Sequence, residues 1–86
     1  MQVQAAEISL SGTHCAIVLV NMDLVQTPGE ADLAIERLGY TFHDQIIVLM
    51  AQNEDGSPVY YGNENVVAAL RGVALEDLPW REYSTR

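Results

Sequence analysis

The sequence predicts an α+β fold of two layers, ordered β-β-α-β-β-α. Its sheet has four mixed strands with a central parallel pair, and two helices accompany it. Three observations carry this expectation. "CAIVLV" (15–20) and "QIIVLMA" (45–51) are apolar at almost every position, as befits strands covered on both faces. Between them lies a well-signalled helix, and after them a turn, a short strand and a capped second helix. Strand, crossover helix and strand make a right-handed unit in the great majority of cases, so the two apolar strands are expected parallel and adjacent.

The first strand opens the chain. Glu7, Ser9 and Ser11 alternate with Ile8 and Leu10, which marks a strand with one wet face and places it at the sheet edge. Gly12 supplies the permissive backbone of a tight turn into the second strand. From Asn21 polarity alternates again, with Met22 and Leu24 apolar and Asn21 and Asp23 polar, so the strand end is expected to leave the core.

In "TPGEADLAIERLG" (27–39), Thr27 is placed to cap a helix, Pro28 suits the first helical position and Glu30 closes a capping box. Ala31, Ala34, Ile35 and Leu38 fall on one face at helical spacing. Gly39 stands just past that stripe, and Gly72 just past the second one, so both are expected in the left-handed terminal conformation.

"DGSPVYYGNENVV" (55–67) packs a turn signal, two adjacent tyrosines and a helix start into thirteen residues. The hairpin reading is direct: "NEDG" turns the chain, "VYYG" returns antiparallel to the third strand, and Asn63 caps a helix bearing Val66, Val67 and Leu70. A shared aromatic clamp does not follow, because Tyr60 and Tyr61, successive in a strand, face opposite sides. "VALEDLPWREY" then reads as a short turn and an extended tail whose Trp80 and Tyr83 pack back on the body.

With 86 residues the chain is expected to be a single domain, 1–86, without repeat or linker. A chain this short buries only about 60–65% of its unfolded surface, so its core is thin. Twelve acidic against four basic side chains give a net charge of −8, which opposes phosphate backbones and anionic lipid. Nucleic acid and membrane are therefore not expected partners. An acidic surface can instead serve solubility, attract a basic protein or imitate DNA. One cysteine excludes an internal disulfide and fits a reducing, cytoplasmic location, and no apolar run is long enough to span a bilayer.

Chemistry-bearing residues are sparse. His14 and Cys15 are adjacent on a strand and so point apart, which prevents the imidazole from activating the thiol; Cys15 reads as core. No metal is expected, because the two histidines and one cysteine match no zinc spacing, and His43 reads as a loop residue. No glycine-rich phosphate loop precedes the helix, and no cofactor is expected. No spacing supplies a positioned acid–base pair, so the chain is not read as an enzyme. Polar groups do converge at the carboxyl ends of the parallel strands, the usual ligand crevice of open α/β sheets, where Asn21, Asp23, Gln52 and Asn53 are the candidate binding residues.

"IIVLMAQNEDGSPVYYG" and "LPWREY" resemble the second half of short uncharacterised bacterial proteins, including products of mobile integron gene cassettes. The resemblance implies a small soluble α/β protein, often self-associating, with no assigned activity and no site to carry over. Two functions remain: an interaction or accessory module acting as a homo-oligomer, or a small-ligand binder using the polar crevice. The homo-oligomer expectation rests on both central strands being apolar on both faces. If the two helices share a face, the other is bare and calls for a second copy, most simply as a two-fold dimer, or for another protein, unless the tail through Leu78, Trp80 and Tyr83 covers it within one chain.

Overall fold

The computed structural model describes residues 2–10 and 12–84. Ser11, counted above on the wet face of the first strand, and Arg86 lie outside the described residues. Five strands form one sheet in the order β4-β3-β2-β1-β5: β1 Gln2–Leu10, β2 Thr13–Leu19, β3 Ile46–Gln52, β4 Pro58–Tyr61 and β5 Trp80–Ser84. The helices are α1 Met22–Val25, α2 Pro28–Leu38 and α3 Glu64–Leu70, with a 3-10 turn at Leu75–Asp77. The mixed α+β character and the parallel β2–β3 pair are as expected, with Ile17 opposite Val48 and Leu19 opposite Met50.

The expected count of four strands is corrected to five, and of two helices to three. β5 is the segment read as a tail, and it runs antiparallel to β1, with Val3 opposite Tyr83 and Ala6 opposite Trp80. Its apolar residues stand three apart, an odd spacing that sends them to opposite faces of a strand. Tyr83 packs in the cluster under α1 and α2, where its ring meets Phe42 edge-on at 5.1 Å, and Trp80 packs in the cluster under α3. β1 is thereby not an edge. Its consecutive Ala5 and Ala6 are both fully buried, each on its own face, between β2 and β5.

Three local expectations are also corrected. Asn21 onward is not a fading strand but the start of α1, whose Val25 is buried against the sheet. At the start of α2 Pro28 sits as expected, yet no capping box forms, because the Thr27 hydroxyl donates instead to the Asp23 carbonyl at 3.0 Å. Neither Gly39, with φ −59°, nor Gly72 lies in the left-handed region. The chain leaves α2 through further right-handed turns, in which Thr41 and Phe42 amides both donate to the Leu38 carbonyl. The left-handed residue of this connection is Asp44, at φ +59°, a side chain that tolerates that region better than most.

The two larger helices lie on opposite faces of the sheet. Ala16, Val18, Ile47, Leu49 and Ala51 face α1 and α2 together with Ala31 and Phe42, while Cys15, Ile17, Val48 and Met50 face Val66 and Leu70 of α3. No face of the sheet is left bare, so the condition on which the expected dimer rested is not met. The change of side occurs at Gly62, with φ +147°: a Cβ there would stand 3.1 Å from the Ile47 carbonyl oxygen and 3.3 Å from Val48 Cα. Only glycine lets the chain pass so close over β3. Asn63 then starts α3 as expected, its side-chain oxygen accepting from the amides of Asn65 and Val66 at 3.0 and 3.2 Å.

Candidate functional site

At the carboxyl ends of β2 and β3, the amide of Val20 donates to the Met50 carbonyl and the strands then part. The four predicted residues are all exposed here, but they do not form one site. Asn21 and Gln52 line a shallow hollow of about 610 Å³, floored by Leu19 and Val20 and bordered by Gln2 and Gln4; Asp23 and Asn53 are not among the residues that line it. Asn53 is committed to the β3–β4 turn. Its side-chain amide donates to Ser57 Oγ at 3.0 Å and its backbone amide to the Ser57 carbonyl at 2.8 Å. The Asp55 carboxylate accepts from the Ser57 amide and hydroxyl at 2.9 and 2.6 Å, which holds Asp55 below the usual carboxylate range. Gln52 donates weakly to the Gly56 carbonyl at 3.3 Å. These polar groups build a tight turn, with Gly56 at φ +87°.

At the opposite end of the sheet both histidines, Glu7 and Asp44 border one shallow hollow of about 410 Å³. Among the described residues no three His, Cys, Asp or Glu groups lie close enough to hold a metal ion. Cys15 is fully buried, its thiol donates to the Thr13 carbonyl, and burial pushes that thiol up, which disfavours the nucleophilic thiolate.

The adjacent tyrosines separate as the strand period requires. Tyr61 turns toward α2 and donates to the Asp32 carboxylate at 2.7 Å, a bond that keeps the phenol protonated and ties the outer strand to the helix. Tyr60 turns toward α3. Its hydroxyl oxygen is buried and, among the described residues, is the one buried side-chain polar atom without a hydrogen-bond partner. Burial raises its pKa above the ordinary tyrosine value.

Tyr60 borders two hollows between β4 and α3. The first, of about 500 Å³, is walled by Pro58, Val67, Leu70, Val73 and Leu75, and Arg71 is the one charged side chain among its lining residues. The second, of about 600 Å³, adds Gly62 and Glu64 and shares Tyr60, Val67 and Arg71 with the first. Hydrocarbon, one cation and a tyrosine ring thus meet in an open hollow lined about equally by polar and apolar surface. Sequence reasoning missed it. The alternation in "VYYG" separates the tyrosines correctly, but nothing local to the strand says that α3 and the segment after it close over Tyr60. The only signal was Arg71, four residues beyond Val67 and so on the same helix face.

Comparison with protein-family models, curated proteins and solved structures finds no match to this chain. Among the described residues no helix is long and apolar enough to cross a membrane.

Proposed function

We propose that the protein is a small, non-catalytic, cytoplasmic accessory module that binds a small molecule in the hollow between β4 and α3. The observation that carries this reading is the hollow of about 500 Å³ itself, which brings Val67, Leu70 and Leu75 together with Tyr60 and one cation, Arg71. The sequence points to Asn21, Asp23, Gln52 and Asn53 for a binder, but the engagement of Asn53 in its turn and the absence of Asp23 from the lining of that crevice favour the β4–α3 hollow.

A thermal-shift screen of metabolites tests the reading on wild type and on Val67→Trp, which fills the hollow from its helix side. A ligand at one hundred times its dissociation constant adds about 2.7 kcal/mol, a rise of several degrees at least in a domain this small. The expected hit raises the melting temperature of wild type and of Asn21→Ala, and leaves Val67→Trp unmoved. A hit abolished by Asn21→Ala or Asp23→Ala and kept by Val67→Trp would return the site to the carboxyl-end crevice.

Self-association is the second reading, and one observation favours it. The seven residues of α3 cover only part of their face, and Ile8, Leu10, Leu19 and Ile46 remain half-buried around it. A second copy of the chain or another protein would complete that cover. Sedimentation equilibrium from low micromolar concentration upward tests it, and a mass that stays at one chain throughout would exclude the homo-oligomer.

A further inference from the structure

We infer that a second copy of the chain docks on the outward face of α2, antiparallel and about a two-fold axis, with Leu33 against the partner's Leu33 and each Arg37 beside the partner's Glu30. The inference goes beyond the self-association reading above, whose surface surrounds α3 on the other side of the sheet. Among the described residues the exposed large hydrophobic side chains are Leu33, 45% exposed, and Tyr40, 72% exposed. They stand two helical turns apart and so share one stripe of α2, while Ala31, Ile35 and Leu38 turn the opposite way into the core. α2 ends at Leu38, but the Gly39 amide still donates to the Ile35 carbonyl at 3.1 Å and the Tyr40 amide to the Arg37 carbonyl at 3.2 Å, which carries the stripe on to Tyr40.

The occupant follows from the stripe being complementary to its own reverse. A two-fold axis that sets two helices antiparallel brings each flank of one helix against the same flank of the other. Glu30 and Arg37 are both exposed, stand two turns apart, and lie on one flank, within about 60° of Leu33 around the helix axis. With the two-fold axis beside Leu33, the two leucines pack at the centre and Glu30 meets the partner's Arg37 twice. The same register lays Tyr40 over the partner's Gly29, because helical side chains lean toward the N-terminus. Gly29 is exposed on the same stripe and has nothing within 4 Å of its Cβ direction, so a flat ring finds room there. Charge and shape thus agree in one register. α2 spans only about 16 Å, so the contact falls below the standard interface size and the dissociation constant is expected on the order of 10⁻⁴ M.

Sedimentation equilibrium of the full chain up to about 1 mM tests this, in about 0.15 M salt, where the repulsion between two copies of charge −8 is screened beyond about 8 Å. Circular dichroism checks that each variant is folded. Wild type is expected to pass from monomer to dimer over that range. Leu33→Glu, Arg37→Glu and Glu30→Arg, all at exposed positions, are each expected to weaken the dimer about ten-fold or more. The Arg37→Glu chain carries two acids on the flank and the Glu30→Arg chain two cations, so an equal mixture of the two is expected to form a heterodimer at least as tight as the wild-type dimer. Arg71→Glu, an exposed change on the other side of the sheet, alters the net charge as Arg37→Glu does and is expected to leave the dimer as it is. A mixture that stays monomeric, or an Arg71→Glu chain weakened as much as Arg37→Glu, would overturn the inference. A dimer lost in Leu10→Gln, beside α3, and kept in Leu33→Glu would overturn it and support the self-association reading alone. A mass of one chain throughout would overturn both.

Discussion

Replacing Gly62 with alanine probes the point at which the fold is decided. The residue sits at φ +147°, where an L side chain is strained by about 1–3 kcal/mol, and its new Cβ would stand 3.1 Å from a backbone oxygen and 3.3 Å from a backbone carbon of β3. Neither neighbour is the movable end of a side chain, so β3 or the start of α3 must shift, at a further cost of about 1–3 kcal/mol as in an overpacked core. Together these come to about 2–6 kcal/mol, whose midpoint of about 4 kcal/mol is roughly 16–32 °C of melting temperature in a domain of this size. Two other glycines supply the controls. Gly56 shares the positive φ, at +87°, but has nothing within 4 Å of its Cβ direction, so Gly56→Ala should cost only about 1–2 kcal/mol. Gly29, in the first turn of α2, has neither constraint, and Gly29→Ala should be neutral or stabilising by up to about 1 kcal/mol. Urea denaturation of the three variants, with the slopes compared for two-state behaviour, gives the ranking. A Gly62→Ala variant as stable as Gly56→Ala would refute the close passage over β3.

Tyr60→Phe should raise stability in the absence of ligand by about 1 kcal/mol, because it removes a buried group that lacks a partner and keeps the ring; a loss in the urea midpoint would show that the hydroxyl is bonded. Leu70→Ala, at a fully buried position that holds α3 on the sheet, should cost about 2–5 kcal/mol by the same assay, and a cost under about 1 kcal/mol would mean α3 is not packed there. Cys15 and Tyr60 both have pKa values raised by burial above the ordinary 9.0 and 10.0. The unfolded chain therefore ionises first, so stability is intact below about pH 9 and is lost as pH rises through the folded-state values. Chemical denaturation across that range should show the fall, with a smaller fall above about pH 10 in Tyr60→Phe.

The elements legible in the sequence are those whose signal is local and whose faces agree. β2 and β3 carry apolar residues on both sides, Pro28 fits only a helix start, and Asn63 is followed by the amides it accepts from. Those features led to the parallel pair, to α2 and to α3. β5 was unreadable because Trp80 and Tyr83 serve opposite faces, and two apolar residues at odd spacing match neither a one-sided strand nor a helix. The pair that could have revealed it is Ala5-Ala6: two consecutive small apolar residues suit a strand flanked on both edges, and here they are flanked by β2 and β5. The capping box failed for a different reason. α1 ends immediately before Thr27 and offers the Asp23 carbonyl, so the hydroxyl donates backward instead of accepting forward. The candidate site was legible only in its topology. The carboxyl ends of β2 and β3 do open into a hollow with Asn21 and Gln52 on its border, but whether an asparagine at a strand end faces a ligand or closes a turn depends on hydrogen bonds four residues away.

The hollow between β4 and α3 depends on the choice of face at Gly62, which no periodicity encodes. Had α3 joined α2 on its face, Tyr60 would lie on an open sheet surface with its hydroxyl in water, Arg71 would be elsewhere, and a second copy of the chain would be needed to cover Ile17, Val48 and Met50. Passing over β3 instead gives both faces a helix within one chain. It also lays a two-turn helix over a strand end that carries a phenol, and α3 brings no acceptor to meet it: its buried residues are Val66 and Leu70. Phenylalanine at position 60 would fill the same volume without the unpaired hydroxyl. A helix on each face of the sheet and the unpaired hydroxyl are thus two consequences of one crossing. A Gly62→Ala chain that folds with α3 displaced should lose both, which would appear as Tyr60→Phe no longer raising stability together with a stronger tendency to self-associate in sedimentation equilibrium.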